Sequence, residues 1–220
     1  MYILLVAATA MEIRDTVGYL IRHEYKLKHH ELAVLTSGVG PVLTTYSLVS
    51  AIRHRRPDYI IQAGIAGSFS SELLPGKTVI IQEEIFGDIG VLENGDFKDA
   101  FDLRLAEPSA HPFTDRRLVN PYITDWLKYR IPVANGITVN EITTSPARIN
   151  LLKQKYNVQT ESMEGAAFHY VCLSEMIPFI QFRSISNLVG ERNKNNWKLS
   201  EAVQVLNNNL INILHQLSNA

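Results

Sequence analysis

Residues Met163-Glu164-Gly165-Ala166-Ala167 place a thioether and a carboxylate just before three positions with almost no side chain. A carboxylate followed by glycine and alanines lets a bulky group come close to the backbone. The pairing suits a ribose ring, whose vicinal hydroxyls donate to a carboxylate while its flat face rests on a thioether. A plainer reading fits the same residues: a first-turn glutamate favoured by the helix dipole, with Met163 in the core. In α/β sheets, ligands gather beyond the carboxyl ends of the strands. Four such segments carry polar groups or bare backbone: Ala8-Thr9-Ala10-Met11-Glu12, Gly64-Ile65-Ala66-Gly67, Thr138-Val139-Asn140-Glu141-Ile142 and Ser184-Ile185-Ser186-Asn187. The Asn187 amide offers a donor and an acceptor side by side. Its plain alternative is an asparagine turning the chain at a strand end.

These segments need elements to hold them, and the hydrophobic pattern supplies a regular alternation. Tyr2–Ala7 is a continuous apolar run, the pattern of a strand buried on both faces. Glu12–Arg22 reads as a helix with Ile13, Val17, Leu20 and Ile21 on one side, and Leu32–Thr36 as the next strand. The glycines and proline of Ser37-Gly38-Val39-Gly40-Pro41 lead into a helix over Val42–His54. Strands follow at Tyr59–Ala63 and Val79–Glu83, with Glu84–Val91 continuing the sheet. Leu118–Tyr129 reads as a helix, Val133–Val139 as a strand and Pro146–Tyr156 as a helix. The motif helix covers Met163–Ser174, then a strand Phe179–Ser184 precedes an amphipathic helix over Leu199–Leu217. The stretch Leu92–Thr114 is polar and irregular, with a turn at Asn94-Gly95. A loop of that length in a compact domain is functional or interfacial. The alternation predicts an α/β fold in a single domain spanning 1–220. Its sheet is mixed and mostly parallel, with helices on both faces.

Composition narrows the function. The 220 residues carry 21 Lys plus Arg against 22 Asp plus Glu, a formal net charge of −1. No basic field exists to bind nucleic acid by counterion release. No apolar run reaches membrane-spanning length, and the apolar start lacks a basic segment before it. The single cysteine, Cys172, lies in an apolar helical setting and suits a reducing cytoplasm. The seven histidines show no metal-ligand spacing, so no metal site is expected.

In order along the chain, Ala8…Glu12, Gly64-Ile65-Ala66-Gly67, Ser162-Met163-Glu164-Gly165-Ala166-Ala167 and Arg183-Ser184-Ile185-Ser186-Asn187 resemble the nucleoside phosphorylase and nucleosidase family. Bacterial methylthioadenosine/S-adenosylhomocysteine nucleosidases are close relatives within it. The resemblance runs from the first strand to the final helix. The loop Ser186–Asn193 with Trp197, and the segment Phe86–Gly90, are similar to the subgroup that acts on futalosine. The resemblance therefore implies the nucleoside phosphorylase-like fold and hydrolysis of an N-glycosidic bond. The substrate it implies is futalosine, cleaved to hypoxanthine and dehypoxanthine futalosine in menaquinone biosynthesis. Three other readings stay open: a methylthioadenosine-type nucleosidase, a purine nucleoside phosphorylase, and a nucleoside-binding module without catalysis.

The resemblance also implies roles position by position. Glu12 falls where the family keeps the carboxylate that activates the attacking water. Ile65, Ala66 and Gly67 match a backbone loop near the ribose and the nucleophile, and Asn140, Glu141 and Ile142 fall where the purine is gripped. Met163 and Glu164 match the ribose binders, with Ser162 beside them in place of a common glutamate. Asn187 stands at the general acid, where the methylthioadenosine enzymes carry aspartate.

Cleavage of such a bond passes through a ribosyl cation and a leaving purine anion, so it needs negative charge at the sugar and a proton at N7. The turn after strand one has neither glycine nor arginine to cradle phosphate, which favours water as nucleophile. An amide at position 187 favours a 6-oxopurine, because a carboxylate there would repel O6. Leu188–Trp197 reads as a lid or as a plain connection, and Arg192 is a candidate partner for a carboxylate at the 5′ end. No cofactor is expected. The expected partners are a small nucleoside and a second copy of the chain, in a homodimer or higher homo-oligomer, which follows if the middle loop reaches a neighbour's site.

Overall fold

The computed structural model describes residues 1–219. Its first half runs β1 (Tyr2–Ala7), α1 (Arg14–Arg22), β2 (Lys26–Leu27), β3 (His30–Thr36), α2 (Pro41–His54), β4 (Tyr59–Ser68), β5 (Thr78–Phe86), β6 (Gly90–Glu93) and β7 (Asp96–Asp99). The second half runs β8 (Leu118–Val119), β9 (Val133–Thr138), α3 (Pro146–Tyr156), β10 (Thr160–Ser162), α4 (Gly165–Ser174), β11 (Phe179–Leu188) and α5 (Leu199–Asn219).

The main sheet has the order β10-β9-β5-β11-β4-β1-β3-β2, with β8 beside β5. Five of its pairings are parallel: β1 with β3 and β4, β4 with β11, and β9 with β5 and β10. Antiparallel contacts join β5 to β11 and β8, and β2 to β3. β10 also returns to pair antiparallel with β4, so β4, β11, β5, β9 and β10 close on themselves. That closure brings the ends of distant segments to one place.

β1 shows why the continuous apolar run is needed. Ile3, Leu5 and Ala7 face a core completed by Leu20 of α1 and by Leu206, Leu210 and Ile213 of α5. Leu4 and Val6 face the other side, against Leu48 and Ile52 of α2 and Phe168, Val171 and Cys172 of α4. Successive side chains point to opposite faces of a strand, so a strand covered twice must be apolar throughout. Helices therefore lie on both faces of a mixed sheet, the fold the alternation predicts.

Four stretches differ from the sequence reading. Leu118–Tyr129 is not an α-helix: Leu118 and Val119 pair with Glu84 and Glu83, and a 3-10 helix covers Ile123–Tyr129. Pro121 is the cause, since it disfavours helical geometry at Asn120, whose side chain instead accepts from Tyr122 N–H at 2.8 Å. The polar middle stretch contains a hairpin, β6 to β7, turning at Asn94 and Gly95 with positive φ at both. β5 ends at Phe86, and Val91 belongs to that hairpin. Finally, β11 runs four residues past Ser184, which puts Ser186 and Asn187 on the sheet.

No helix among the described residues is long and apolar enough to cross a membrane.

Candidate active site

The ends of β1, β4, β10 and β11 surround one cleft of about 230 Å³. Glu12, Ile65, Ala66, Gly67, Ile142, Ser162, Met163, Glu164 and Asn187 all line it. The structure thus brings together nine of the eleven residues singled out from the sequence. Asn140 and Glu141 are the exceptions. Both are exposed, and the Asn140 amide donates to Asp88 at 3.2 Å. Of the loop beyond β9 only Ile142 lines the cleft, so a purine grip by Asn140 and Glu141 has no support in this geometry.

Glu12 is buried and its carboxylate is fixed by three donors. Oε2 accepts from Thr9 N–H at 2.9 Å and from the Thr9 hydroxyl at 3.0 Å, and Oε1 accepts from Ile65 N–H at 3.1 Å. The turn after β1 is therefore an acid holder. Its backbone is tied down from far away: Asn207 of α5 donates to Glu12 O at 2.8 Å and accepts from Thr16 N–H and Oγ1. Gly64 leaves the space for this arrangement, since a Cβ there would stand 3.0 Å from Glu12 Oε1 and closer still to Arg183.

Glu164 stands just before α4. The first amides of that helix already have acceptors: Gly165 N–H meets Ser162 Oγ at 3.3 Å and Ala166 N–H meets Thr138 Oγ1 at 2.7 Å. The Glu164 carboxylate is therefore not spent on capping. Oε1 accepts from Gly40 N–H at 3.2 Å, and Oε2 pairs with Arg183 Nη1 at 3.2 Å. Arg183 is fully buried and also donates to Ile65 O and Gln62 Oε1. A buried ion pair of this kind fixes geometry, and losing either partner strands the other charge.

Asn187 follows a bulge in β11: Ile185 pairs with Ala66 and Asn187 with Gly67, leaving Ser186 over. The bulge re-aims the side chain. Nδ2 donates to Leu188 O at 2.9 Å, and Oδ1 lies 2.7 Å from the Ser186 hydroxyl. A carbonyl can only accept, so the amide orientation is fixed, with one N–H and one lone pair left over.

The segment after Asn187 folds on itself. Lys194–Asn196 forms a 3-10 turn, Glu191 accepts from Asn193 N–H and Asn196 Nδ2, and Trp197 donates to Glu191 O at 2.9 Å. Val189, Gly190, Glu191 and Trp197 reach the cleft wall. Arg192 does not; its guanidinium stacks 5.6 Å over the Trp197 ring.

Residues 11–218 match the Phosphorylase superfamily. This chain belongs to that family. A futalosine hydrolase of Thermus thermophilus is 27% identical over 182 residues, covering 82% of this chain and 80% of the relative. A 5′-methylthioadenosine/S-adenosylhomocysteine nucleosidase of a Geobacillus species is also 27% identical, over 76% of this chain and 72% of its own. Among solved structures, an S-adenosylhomocysteine nucleosidase of Streptococcus pyogenes in complex with 5-methylthiotubericidin superposes with TM-score 0.79. It is 20% identical and covers 99% of this chain and 97% of that one, which establishes the shared fold.

Several polar residues of this superfamily member were given no role in the sequence reading. Arg183 is the clearest, and it had a signal: a lone charge inside the apolar strand Phe179–Ile185 must have a buried partner. Glu84 is another. It is fully buried, accepting from Gln181 Nε2 at 2.9 Å and Thr138 Oγ1 at 3.0 Å, and burial pushes its carboxyl up to about 7. Arg183 and the two donors oppose that rise, while Glu164 adds to it. Gly136 and Gly165 crowd the Glu84 carboxylate so closely that a side chain at either would overlap it. His169 lies buried nearby with Nδ1 donating to Leu118 O at 2.9 Å; burial lowers it to about 4, so it is neutral and structural. Cys172 is buried, its thiol pushed up by burial. Among the described residues, no three His, Cys, Asp or Glu side chains group to hold a metal ion.

Proposed function

We propose that this enzyme hydrolyses the N-glycosidic bond of a 6-oxopurine ribonucleoside, with futalosine as the substrate. The observation that carries the reading is the meeting of Glu12, Glu164 and the fixed Asn187 amide in one cleft. Family membership and nucleosidase relatives support glycosidic-bond cleavage. In this reading Met163 and Glu164 hold the ribose, and the Glu164 charge stabilises the cationic sugar. Glu12, held by Thr9 and Ile65, takes a proton from the attacking water. Ile65, Ala66 and Gly67 supply bare backbone beside the sugar, and Ser162 supports the start of α4. Asn187 donates its free N–H to O6 and accepts from N7–H, the N7 proton coming from solvent water because a neutral amide has none to give.

Two features favour water over phosphate. Among the described residues the cleft wall contains four glutamates and no lysine or arginine, and the nearby Arg183 is engaged by Glu164. A phosphate dianion has no cation to meet there. The mouth, formed by Met11, Val39 and Trp197, offers apolar surface for an aryl 5′ substituent. A thioether 5′ substituent would suit the same surface, which keeps a methylthioadenosine-type substrate as the second reading.

The working enzyme is proposed as a homodimer or higher homo-oligomer, supported by the exposed Val42, Leu43 and Tyr46 on α2 beside the cleft. A cytoplasmic setting and independence from metal and cofactor complete the reading. The test is to incubate the pure protein with futalosine, inosine and methylthioadenosine, with and without phosphate and chelator, and to identify products. Hypoxanthine and free dehypoxanthine futalosine, formed without phosphate, are expected. Fastest release of adenine from methylthioadenosine would overturn the substrate assignment, and sugar phosphate would overturn hydrolysis.

A further inference from the structure

The polar groups buried beneath the cleft fix the place of one proton. His169 Nδ1 lies 2.9 Å from Leu118 O, and a carbonyl only accepts, so Nδ1 carries the ring hydrogen. Burial lowers His169 to about 4, which keeps the ring neutral and leaves Nε2 a bare acceptor. That Nε2 is buried without a partner, and so is Gln181 Oε1. Gln181 nonetheless reaches the His169 ring from β11. Half a turn of the Gln181 amide exchanges its nitrogen and oxygen in place, so that Nε2 donates to His169 and Oε1 faces Glu84. Two bare oxygens cannot share the 2.9 Å contact between Gln181 and Glu84. A hydrogen must stand between them, and only Glu84 can carry it.

The neutral acid completes a continuous chain. Glu84 Oε1–H donates to Gln181, and Glu84 Oε2 accepts from the Thr138 hydroxyl at 3.0 Å. Thr138 Oγ1 in turn accepts from Ala166 N–H at 2.7 Å, in the first turn of α4 and just beyond Glu164. The groups facing Glu84 are Gln181 and Arg183 on β11, Thr138 on β9 and Glu164 ahead of α4. Gly136 and Gly165 complete its surroundings and bring no charge. A neutral Glu84 leaves Arg183 to Glu164, 3.2 Å away. An ionised Glu84 would attract Arg183 and repel Glu164, loosening that pair from both sides.

We infer that Glu84 is a positioning residue: as the neutral acid it closes the chain from His169 to α4 and leaves the Arg183 charge to Glu164. This rests on the ribose role proposed for Glu164 and deepens it by making the grip on ribose depend on pH. Burial pushes the Glu84 carboxyl up to about 7, with Gln181, Arg183 and Thr138 opposing the rise. The grip is therefore full below that value and weakens as pH rises through it.

The test combines infrared spectroscopy with equilibrium binding, on the wild type and on Glu84→Gln. The glutamine imitates the neutral acid, donating to Gln181 and accepting from Thr138. Near pH 6 the wild type should show the carbonyl band of a buried carboxylic acid that Glu84→Gln lacks, and near pH 8 the band should be lost. Nitrogen NMR should find the His169 ring neutral at both. The binding probe is the C-nucleoside analogue of inosine, whose carbon–carbon ribosyl bond resists hydrolysis, beside its 2′-deoxy form. In the wild type the preference for the 2′-hydroxyl should be at least about fivefold greater near pH 6 than near pH 8, and in Glu84→Gln it should stay within about twofold. An ionised Glu84 or a charged His169 near pH 6 would overturn the placement of the proton. A wild-type preference that ignores pH, or one that moves equally in Glu84→Gln, would overturn the positioning role. The expected shifts in a protein that cleaves no nucleoside would uphold this inference and sink the proposed hydrolase. Cleavage of futalosine with an unmoved preference would do the reverse, and binding of neither analogue would overturn both.

Discussion

At the scale of single residues, the cleft holds two separately fixed carboxylates, to which the proposed reaction assigns the water and the sugar. Glu12 is held by Thr9 and Ile65, and Glu164 by Gly40 and Arg183, so neither depends on substrate for its position. Such preorganisation is what makes a general base effective. Glu12→Gln should abolish turnover while leaving substrate affinity within about an order of magnitude, because it acts in the transition state. Single-turnover rates beside equilibrium binding check this; more than about a tenth of the wild-type rate would reduce Glu12 to a structural acid. Glu164→Ala should also inactivate, through a lost contact to the ribose hydroxyls worth roughly 1.5–3 kcal/mol. The matching control is a 2′-deoxy nucleoside, which the wild type should cleave far more slowly. Equal rates on the two sugars would contradict the ribose role.

At the scale of elements, two helices support the acids without touching the cleft. α4 starts on hydroxyl acceptors from Ser162 and Thr138, which leaves Glu164 free to face inward. α5 reaches back across the molecule through Asn207, which fixes both the Glu12 carbonyl and Thr16. Asn207→Ala would leave those buried groups unpaired, costing about 1–3 kcal/mol of stability. It should also lower kcat by about 10- to 100-fold with little change in KM, because a misplaced base slows chemistry more than binding. Denaturant unfolding and steady-state kinetics on the same variant test both parts. A stability loss with unchanged kcat would make Asn207 a packing residue only.

At the scale of the whole molecule, the buried carboxyl of Glu84 makes stability depend on pH. Its folded value is about 7 against an ordinary 4.5. Between those values folding takes up a proton, so stability falls as pH rises and the full cost stands above about pH 7. Glu84→Gln should therefore match the wild type near pH 5 and exceed it near pH 8, by up to about 3 kcal/mol. His169 acts in the opposite sense, losing stability as pH falls toward about 4, but it is common to both proteins and cancels in the comparison. Urea unfolding across pH 5–8 measures the difference; a flat difference would mean Glu84 is ionised throughout. The proposed assembly is tested at the same scale. Val42 and Tyr46 lie one turn apart on α2, each 76% exposed, while Val39 and Gly40 just before them meet the cleft and Glu164. Tyr46→Glu should shift sedimentation to the monomer and lower activity with it. A wild type that sediments as a monomer at micromolar concentration would remove the proposed assembly.

Much of this molecule is written in short-range patterns. The double-faced burial of β1, the glycine and proline entry to α2 and the alternation of elements all follow from neighbours in the chain, because period and turn chemistry are local. Carboxylates and an amide at strand ends likewise pointed to Glu12, Glu164 and Asn187, since an α/β sheet delivers strand ends to one edge. Pro121 was also visible at Leu118–Tyr129, where its effect on Asn120 outweighed the apolar spacing. Other features depend on residues that only the folded chain brings together. Arg183 shows its need for a partner in sequence, but that the partner is Glu164 depends on β11 lying beside β4. Asn207 meets Glu12 across 195 positions, and nothing local to either predicts it. Glu84, Gln181 and His169 come together only because β5, β11 and α4 pack against one another. The sequence by itself determined which residues can do the chemistry, through their types and their places at strand ends. The tertiary structure alone decided which charges are paired and which are left open to a ligand, because pairing depends on distances that no local pattern encodes.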